Sequence, residues 1–353
     1  MKPKIKRAII DPEALVFDLQ NEPMPRGAWW WWFWLFFFNN PKNPGKPRQL
    51  MILWSTKNVK EIDCNDLKIN LTPNSNRSVL DGAVAAWYFD GEKMHHNFLL
   101  EQCHININKS DNKLYTDSTT PTSFSIDKTK NIIKIGNDFE FIAEPKYKNK
   151  FTLPSYHSNN YISSRGYSII RLNHLDLRGK VKGNNESNES DGNNEFTESI
   201  HGSAYFQRVF VSTPSPAWYW GIFHFENGGI LTYFNPYVSK MSLKKDISFF
   251  DGKKLHEFVD ITVKRTGGEI PIFIVSGENE DEKIKFMVNS YSHSSWTFRK
   301  KTLGIIPNKL IYNEYPAVIS ELELINKGTM KKIVLEDLGK SVGNAEHATG
   351  FLF

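Results

Sequence analysis

Residues 28–38 read Ala-Trp-Trp-Trp-Trp-Phe-Trp-Leu-Phe-Phe-Phe, and few folds can absorb such a run. It holds five of the chain's 10 Trp, so whatever it packs against must be aromatic-rich. It is too short to span a bilayer, which takes roughly 20 apolar residues. It also lacks the small-residue cleavage site of a signal peptide, and Lys and Arg precede it only at a distance. Aromatic residues favour strands, and a strand wetted on one face alternates apolar with polar residues. This run does not alternate. It predicts a strand with apolar matter on both faces, set between a large apolar cavity and a second packed layer. An aromatic core strand with no ligand accounts for the stretch equally well when it is taken alone.

The rest of the chain repeats the strand signal. Leu50–Trp54, Val84–Phe89, Ile132–Ile135, Tyr205–Val211, Trp218–Phe225, Gly229–Phe234, Ile270–Val275 and Lys283–Val288 are short aromatic or β-branched runs. Turn residues separate them, at Asp90-Gly91, Asn227-Gly228-Gly229, Asp251-Gly252 and Thr266-Gly267-Gly268. Helical periodicity is scarce, with short candidates at 246–255 and within the first twenty residues. Many strands joined by tight turns point to antiparallel barrels or sandwiches.

One segment stands apart. Residues 183–199 hold five acids, one aromatic and no Lys or Arg, too little apolar surface to order themselves. Taken as a linker, it divides the 353 residues into a β domain at 1–183, an acidic segment at 184–199 and a second β domain at 200–353. Taken as a hairpin loop, it lies inside one domain. An echo of Ala followed by aromatics, at Ala28, Ala86, Ala204 and Ala217, fits two related β domains.

Charge narrows the partners. The net charge is +5 with both signs mixed along the chain, and no basic block is dense enough to argue for nucleic acid. Peripheral contact with an anionic membrane stays open. Two cysteines, Cys64 and Cys103, do not make a disulfide framework, although one bond between them is allowed. The basic start, Met1 to Arg7, is followed by only a short apolar group, so a cytoplasmic location is the default expectation. Sequons at Asn70 and Asn185 arise readily by chance in an Asn-rich chain.

Residues 201–237 read as strand, Pro-bearing loop, strand, Asn-Gly turn, strand. With a period of two, Trp218, Trp220, Ile222 and His224 share one face, and Tyr219, Gly221, Phe223 and Phe225 share the other. A few polar groups among aromatics is the composition of a ligand pocket. Three pieces carry a family resemblance: the Trp-rich strand followed by Gln49-Leu50-Met51-Ile52-Leu53-Trp54-Ser55, then Gly202-Ser203-Ala204-Tyr205-Phe206-Gln207, then Pro216-Ala217-Trp218-Tyr219-Trp220-Gly221. In order and spacing the chain resembles the carotenoid 1,2-hydratase and AttH-like family of two-domain lipocalin-like proteins. Many family openings carry a Glu directly before the Trp pair, where this chain has Gly27-Ala28. The resemblance implies an all-β fold of two lipocalin-like, calycin-type antiparallel β-barrels in tandem and an elongated lipophilic ligand such as an isoprenoid. Members include hydratases, and related fungal proteins are cyclases that fold a polyene chain.

Hydrating an alkene needs a strong acid, a water and stabilisation of a tertiary cation. A carboxyl in an apolar cavity holds a proton, and aromatic faces, Trp best of all, attract the cation. The candidate acids and bases are His224, Glu226 and Asp90. Against them stand a satisfied core histidine, a barrel-rim glutamate and a turn aspartate. Glu321 and Glu323 share a strand face that reads as an exposed polar one. The candidate ligand contacts are Trp29, Trp31, Trp87, Tyr205, Gln207, Trp218, Trp220 and Tyr233, while Arg208 faces the other way and reads as a surface residue. His95, His96, Cys103 and His104 show no clean metal-ligand spacing. No nucleophile elbow, phosphate loop or dinucleotide fingerprint appears, so no cofactor is expected. Three functions remain: a cofactor-free hydratase or cyclase, a lipid carrier or scaffold, and a carbohydrate-binding or carbohydrate-cleaving protein with exposed stacking aromatics. A buried acid facing the aromatic cavity separates the first from the second.

Overall fold

The computed structural model describes residues 6–18, 24–72, 78–146, 151–162, 165–184, 195–238, 241–242, 245–302 and 306–352. Ten antiparallel strands close into a barrel. In order they are Trp29–Phe38, Arg48–Lys57, Val79–Phe89, Met94–Asn108, Lys113–Thr116, Thr122–Ser125, Asn131–Ile135, Phe139–Pro145, Arg165–Asn184 and Glu195–Val211. The last pairs back onto the first along its whole length, Val211 opposite Trp29 and Gly202 opposite Phe38. Closure leaves these strands no free edge.

Alternation along Trp29–Phe38 then decides what each face meets. Trp30, Trp32, Trp34, Phe36 and Phe38 point into the barrel and join its core. Trp29, Phe33, Leu35 and Phe37 point out into a second core, with Trp31 packed against it. Among the described residues the barrel interior is packed with its own side chains: Trp34 stacks on Phe36 at 5.6 Å and packs on Phe206 at 4.7 Å. A turn of helix at Pro12–Leu15, started by Asp11 accepting from the Glu13 N–H, brings Val16 and Phe17 into this core. Trp32 Nε1 donates to the Val16 carbonyl, and Arg208 donates to the carbonyls of Leu15 and Asp18. Arg208 is therefore a buried anchor and not a surface residue; burial lowers its pKa to about 10. Gly202 is required where the barrel closes, because a Cβ there would run into the Phe37 carbonyl.

The second sheet is curved but not closed. Its main path runs from Leu255–Phe258 through Asp246–Phe250, Ile230–Val238, Ala217–Phe225, Ser341–Phe351, Ile306–Asn326, Glu282–Ser290 and Ile272–Glu278 to Asp260–Thr266. One barrel and one open sheet thus stand where two barrels were expected. Tyr219, Phe223, Phe249, Phe273, Phe286 and Tyr315 pack inside the curve. The helical piece expected at 246–255 is instead a strand and a tight turn, with Gly252 at φ +99°. A hairpin of Glu61–Cys64 and Leu67–Asn70, from the first half of the chain, pairs onto Ser294–Thr302 of the second sheet.

The chain crosses between sheets at 212–216 and not at the acidic segment. Strands Arg165–Asn184 and Glu195–Val211 pair directly, Asn184 opposite Glu195, so that segment joins the ends of one hairpin. Residues 185–194, with the sequon at Asn185, lie outside the described residues, as does the basic start at 1–5. Cys64 and Cys103 are both buried and not bonded. Among the described residues no helix is long and apolar enough to cross a membrane.

The sheets meet through the outward face of the Trp-rich strand. Phe33 packs edge-on against Trp220 at 6.4 Å, and Trp29 packs edge-on against Phe298 at 5.1 Å. Buried Gln49 bridges the sheets, donating to Tyr291 Oη (2.7 Å) and to the Gly343 carbonyl (2.8 Å), while Tyr291 donates to the Pro47 carbonyl. The two faces of the strand make a testable contrast. Trp34→Ala should cost roughly 3–5 kcal/mol in chemical denaturation, because a fully buried indole leaves a cavity. Trp31→Ala, at a partly open position, should cost less than half of that. Equal losses would refute the partly open placement of Trp31.

Candidate functional site

Where the outward face of the barrel and the second sheet do not fully cover one another, a cavity of about 470 Å³ remains. One side is built from Trp29, Trp31 and Phe33 together with Tyr167, Ile169, Arg171, Gln207, Val209 and Val211, each at alternate positions of its strand. The facing wall is Trp218, Trp220, Phe234, Pro236, Tyr312 and Glu346, and the crossing segment 213–216 runs along the edge. Alternation places these side chains: Phe223 and Tyr233, at the other parity, go to the core of the second sheet, where the Tyr233 ring lies over Gly221.

The cavity is aromatic with a few polar groups placed among the rings. Tyr205 Oη donates to Gln207 Oε1 (3.1 Å), which turns the Gln207 amide N–H groups toward the cavity. Arg171 lies directly across the strand pair from Gln207. On the opposite wall Glu346 accepts from Tyr312 Oη (2.6 Å) and Trp218 Nε1 (3.0 Å). Glu346 is directly across from Glu314 on the neighbouring strand, so both side chains leave the same face of the sheet. Both carboxyls are buried, at 3% and 0% exposed, and the Asn344 amide donates to Glu314.

Two buried carboxyls side by side cannot both ionise cheaply. Burial raises the Glu346 pKa to about 7, against the opposing pull of Tyr312, Trp218 and the Arg171 charge. Burial and the neighbouring Glu346 push Glu314 well above the usual carboxylate range. The pair therefore keeps a proton at neutral pH, and one of its members opens onto an aromatic cavity.

Five of the sequence-selected ligand contacts are on the cavity wall: Trp29, Trp31, Gln207, Trp218 and Trp220. Tyr205 stands behind Gln207, its ring 5.5 Å from Trp220. Trp87 is buried between the sheets and Tyr233 in the second core, so neither reaches the cavity. None of the three acid–base candidates is there. Asp90 caps its own turn, accepting from the Glu92 and Lys93 N–H groups and lying 2.8 Å from His95 Nε2. Glu226 is exposed and accepts from the Lys340 N–H. His224 is 3% exposed with both ring nitrogens engaged: Nε2 donates to the Asn173 carbonyl (2.8 Å), and Nδ1 accepts from Ser203 Oγ (2.7 Å). The Asn173 carbonyl is free for this because the pairing slips between Leu172 and Leu175. His224 thus ties the second sheet to the barrel. His104 pairs with Asp117 and Asp81, and Glu321 and Glu323 lie on the face opposite buried Leu322 and Leu324.

Glu346, Glu314, Tyr312 and Arg171 carry no motif. Their signal is parity: Glu346 interrupts the small-residue strand Gly343-Asn344-Ala345-Glu346-His347-Ala348 in phase with Asn344 and Ala348, and Glu314 is in phase with Tyr312.

No family model matches the chain, and no curated protein matches its sequence. Among solved structures, the crystal structure of CghA is similar at a TM-score of 0.48 and 7% sequence identity, covering 98% of each chain.

Two pH effects of opposite sign follow. Burial, and then the neighbouring His174, hold the His224 pKa well below 6.5, so the native state binds fewer protons than the unfolded one and loses stability as pH falls below about 6.5. His224→Leu should cost roughly 2–4 kcal/mol at about pH 8, by leaving Ser203 and Asn173 unpaired, and less at about pH 5. A cost independent of pH would show that His224 is not held neutral. The Glu346 pKa is raised from 4.5 to about 7, so the native state binds more protons and stability falls as pH rises through that interval. Glu346→Gln should therefore gain on the parent by a few kcal/mol between about pH 4.5 and 8. Parallel pH–stability curves would refute a retained proton.

Proposed function

We propose that the protein binds a lipophilic isoprenoid or polyene chain in the cavity between its sheets, and that Glu346 protonates it. The outcome is hydration or cyclisation without a cofactor, as the resemblance to carotenoid hydratases implies. One observation carries the reading: a buried carboxyl, its pKa raised by burial, faces a cavity lined mostly by aromatic and apolar side chains.

The chemistry follows from those neighbours. The Glu346 O–H proton goes to one alkene carbon, leaving a tertiary cation on the other and a carboxylate on Glu346. Tyr312 and Trp218 already donate to the Glu346 oxygens, and these bonds strengthen as negative charge develops. The faces of Trp29, Trp31 and Trp220 attract the cation. Water adds to it and returns a proton to the carboxylate, or a second alkene of the same chain attacks and the proton lost afterwards returns there. Either way the acid is regenerated.

A carrier would use the same cavity and leave the proton idle. A carbohydrate site would hold its aromatics as open platforms, whereas Trp220 is 4% exposed and the two carboxyls are neighbours on one wall and do not face each other across a cleft.

The test is Glu346→Gln against a panel of linear polyenes and acyclic isoprenoids. Binding, read by quenching of Trp fluorescence, should stay within about twofold, while product formation, read by mass and by loss of polyene absorbance, should fall by about 10²-fold or more. Parent turnover should decline above about pH 7 as the acid form is lost. Binding without turnover by the parent protein would leave the carrier function; no binding at all would overturn the lipophilic cavity.

A further inference from the structure

The charge on Arg171 says more about the ligand than the aromatic wall does. A guanidinium carries five N–H donors and no acceptor, and burying it beside apolar groups is costly unless those donors are met. The two fully buried arginines of the barrel largely meet this demand, whereas Arg171 is half-buried with its Nε enclosed. Arg48 makes a two-pronged pair with Glu198, at 2.7 and 2.6 Å, and Arg208, although its Nε is also without a partner, donates through its terminal nitrogens to Ser168 and to the carbonyls of Leu15 and Asp18. Arg171 does not. It lines the cavity, its Nε is buried without a hydrogen-bond partner, and among the described residues it forms no ion pair and donates to no oxygen.

Its neighbours do not answer that demand. Glu346 is close enough for the Arg171 charge to lower its pKa, but its two oxygens already accept from Tyr312 and Trp218. Gln207, directly across from Arg171, has its carbonyl oxygen taken by Tyr205 and offers only N–H groups. Arg171 and Gln207 therefore present donors side by side, with one positive charge between them. Pure hydrocarbon would leave those donors desolvated and unmet. A planar acceptor with two oxygens and one negative charge fits the guanidinium fork side-on and leaves a third contact for the Gln207 amide.

We propose that the ligand is an acidic lipophile whose carboxylate is held by Arg171 and Gln207 while its chain lies among Trp29, Trp31, Trp218 and Trp220. This inference rests on the lipophilic-cavity reading and narrows its ligand class. The carboxylate fixes which end of the chain sits at the barrel wall, and so which stretch of it lies beside Glu346. Arg171 is a binding and positioning residue, and the proton donor is unchanged.

The probes are cis-parinaric acid, a fluorescent polyenoic acid, and its methyl ester, which keeps the chain and removes the charge. Energy transfer from the cavity Trp residues reports binding of either. The native protein should bind the acid at least about tenfold more tightly than the ester. Arg171→Met should abolish that preference by weakening the acid alone, and Arg171→Lys should retain part of it. Equal binding of acid and ester by the native protein would overturn the proposal with no variant needed, as would an Arg171→Met protein that loses both probes in equal measure. Binding of neither probe by the native protein would overturn the lipophilic cavity, and this proposal with it. Tight binding of the ester with no preference for the acid would overturn the carboxylate while leaving the cavity intact.

Discussion

The structure depends on one strand belonging to two cores. Trp29–Phe38 contributes Trp30, Trp32, Trp34, Phe36 and Phe38 to the barrel interior and Trp29, Phe33, Leu35 and Phe37 to the layer between the sheets. Neither set can be made polar without cost, because burying a large aromatic side chain contributes on the order of 2–3 kcal/mol. The strand also sits at the seam, pairing with Arg48–Lys57 on one side and with the closing strand Glu195–Val211 on the other. Barrel closure and sheet stacking are thereby coupled. A one-residue slip in its pairing would exchange the two sets of side chains and disrupt both cores together.

Aromatic stacking alone does not fix how the second sheet sits on the barrel, since apolar contact is not directional. Buried polar bonds supply the direction. His224 reaches from the Ala217–Phe225 strand to Ser203 and to the Asn173 carbonyl, and Gln49 reaches from the barrel to Gly343 and Tyr291. A shifted placement would strand these groups without partners in a dry layer, which is costly. The cavity lies beside this clasped region, where Trp31 and Trp218 stay partly open. Its position is thus set by the clasps as much as by the aromatic residues that line it.

Much of this was legible along the chain, and the parts that were not share a cause. The absence of alternation in 28–38 correctly implied two apolar faces, and period two correctly separated Trp218 and Trp220 from Tyr219 and Phe223. Those inferences depend on a strand's own geometry. The location of the cavity, between the sheets and not inside a barrel, depends on which face of each strand turns toward which neighbour, and no local pattern records that. The same holds for His224: its place among Phe223, Phe225 and Trp220 was readable, but the carbonyl that occupies it belongs to a bulge some fifty residues earlier. Glu346 and Glu314 become a pair only because strands 306–326 and 341–351 align them, whereas Asp90 and Glu226, more conspicuous beside their turn glycines, are spent on capping and cross-strand contacts.

The electrostatics of the cavity make a single argument. A proton donor must be neutral before transfer and stabilised after it, and those requirements conflict in most environments, because what stabilises the anion also lowers the pKa. Here they are divided among different neighbours. Burial and Glu314 keep the proton on the pair; Tyr312 and Trp218 hold the Glu346 oxygens in place for the charge that would follow. Arg171 favours ionisation of Glu346 for as long as its own charge is unmatched. A ligand carboxylate on Arg171 would cancel that pull and raise the Glu346 pKa further. On the proposed reading, the bound ligand therefore helps to keep protonated the acid that acts on it.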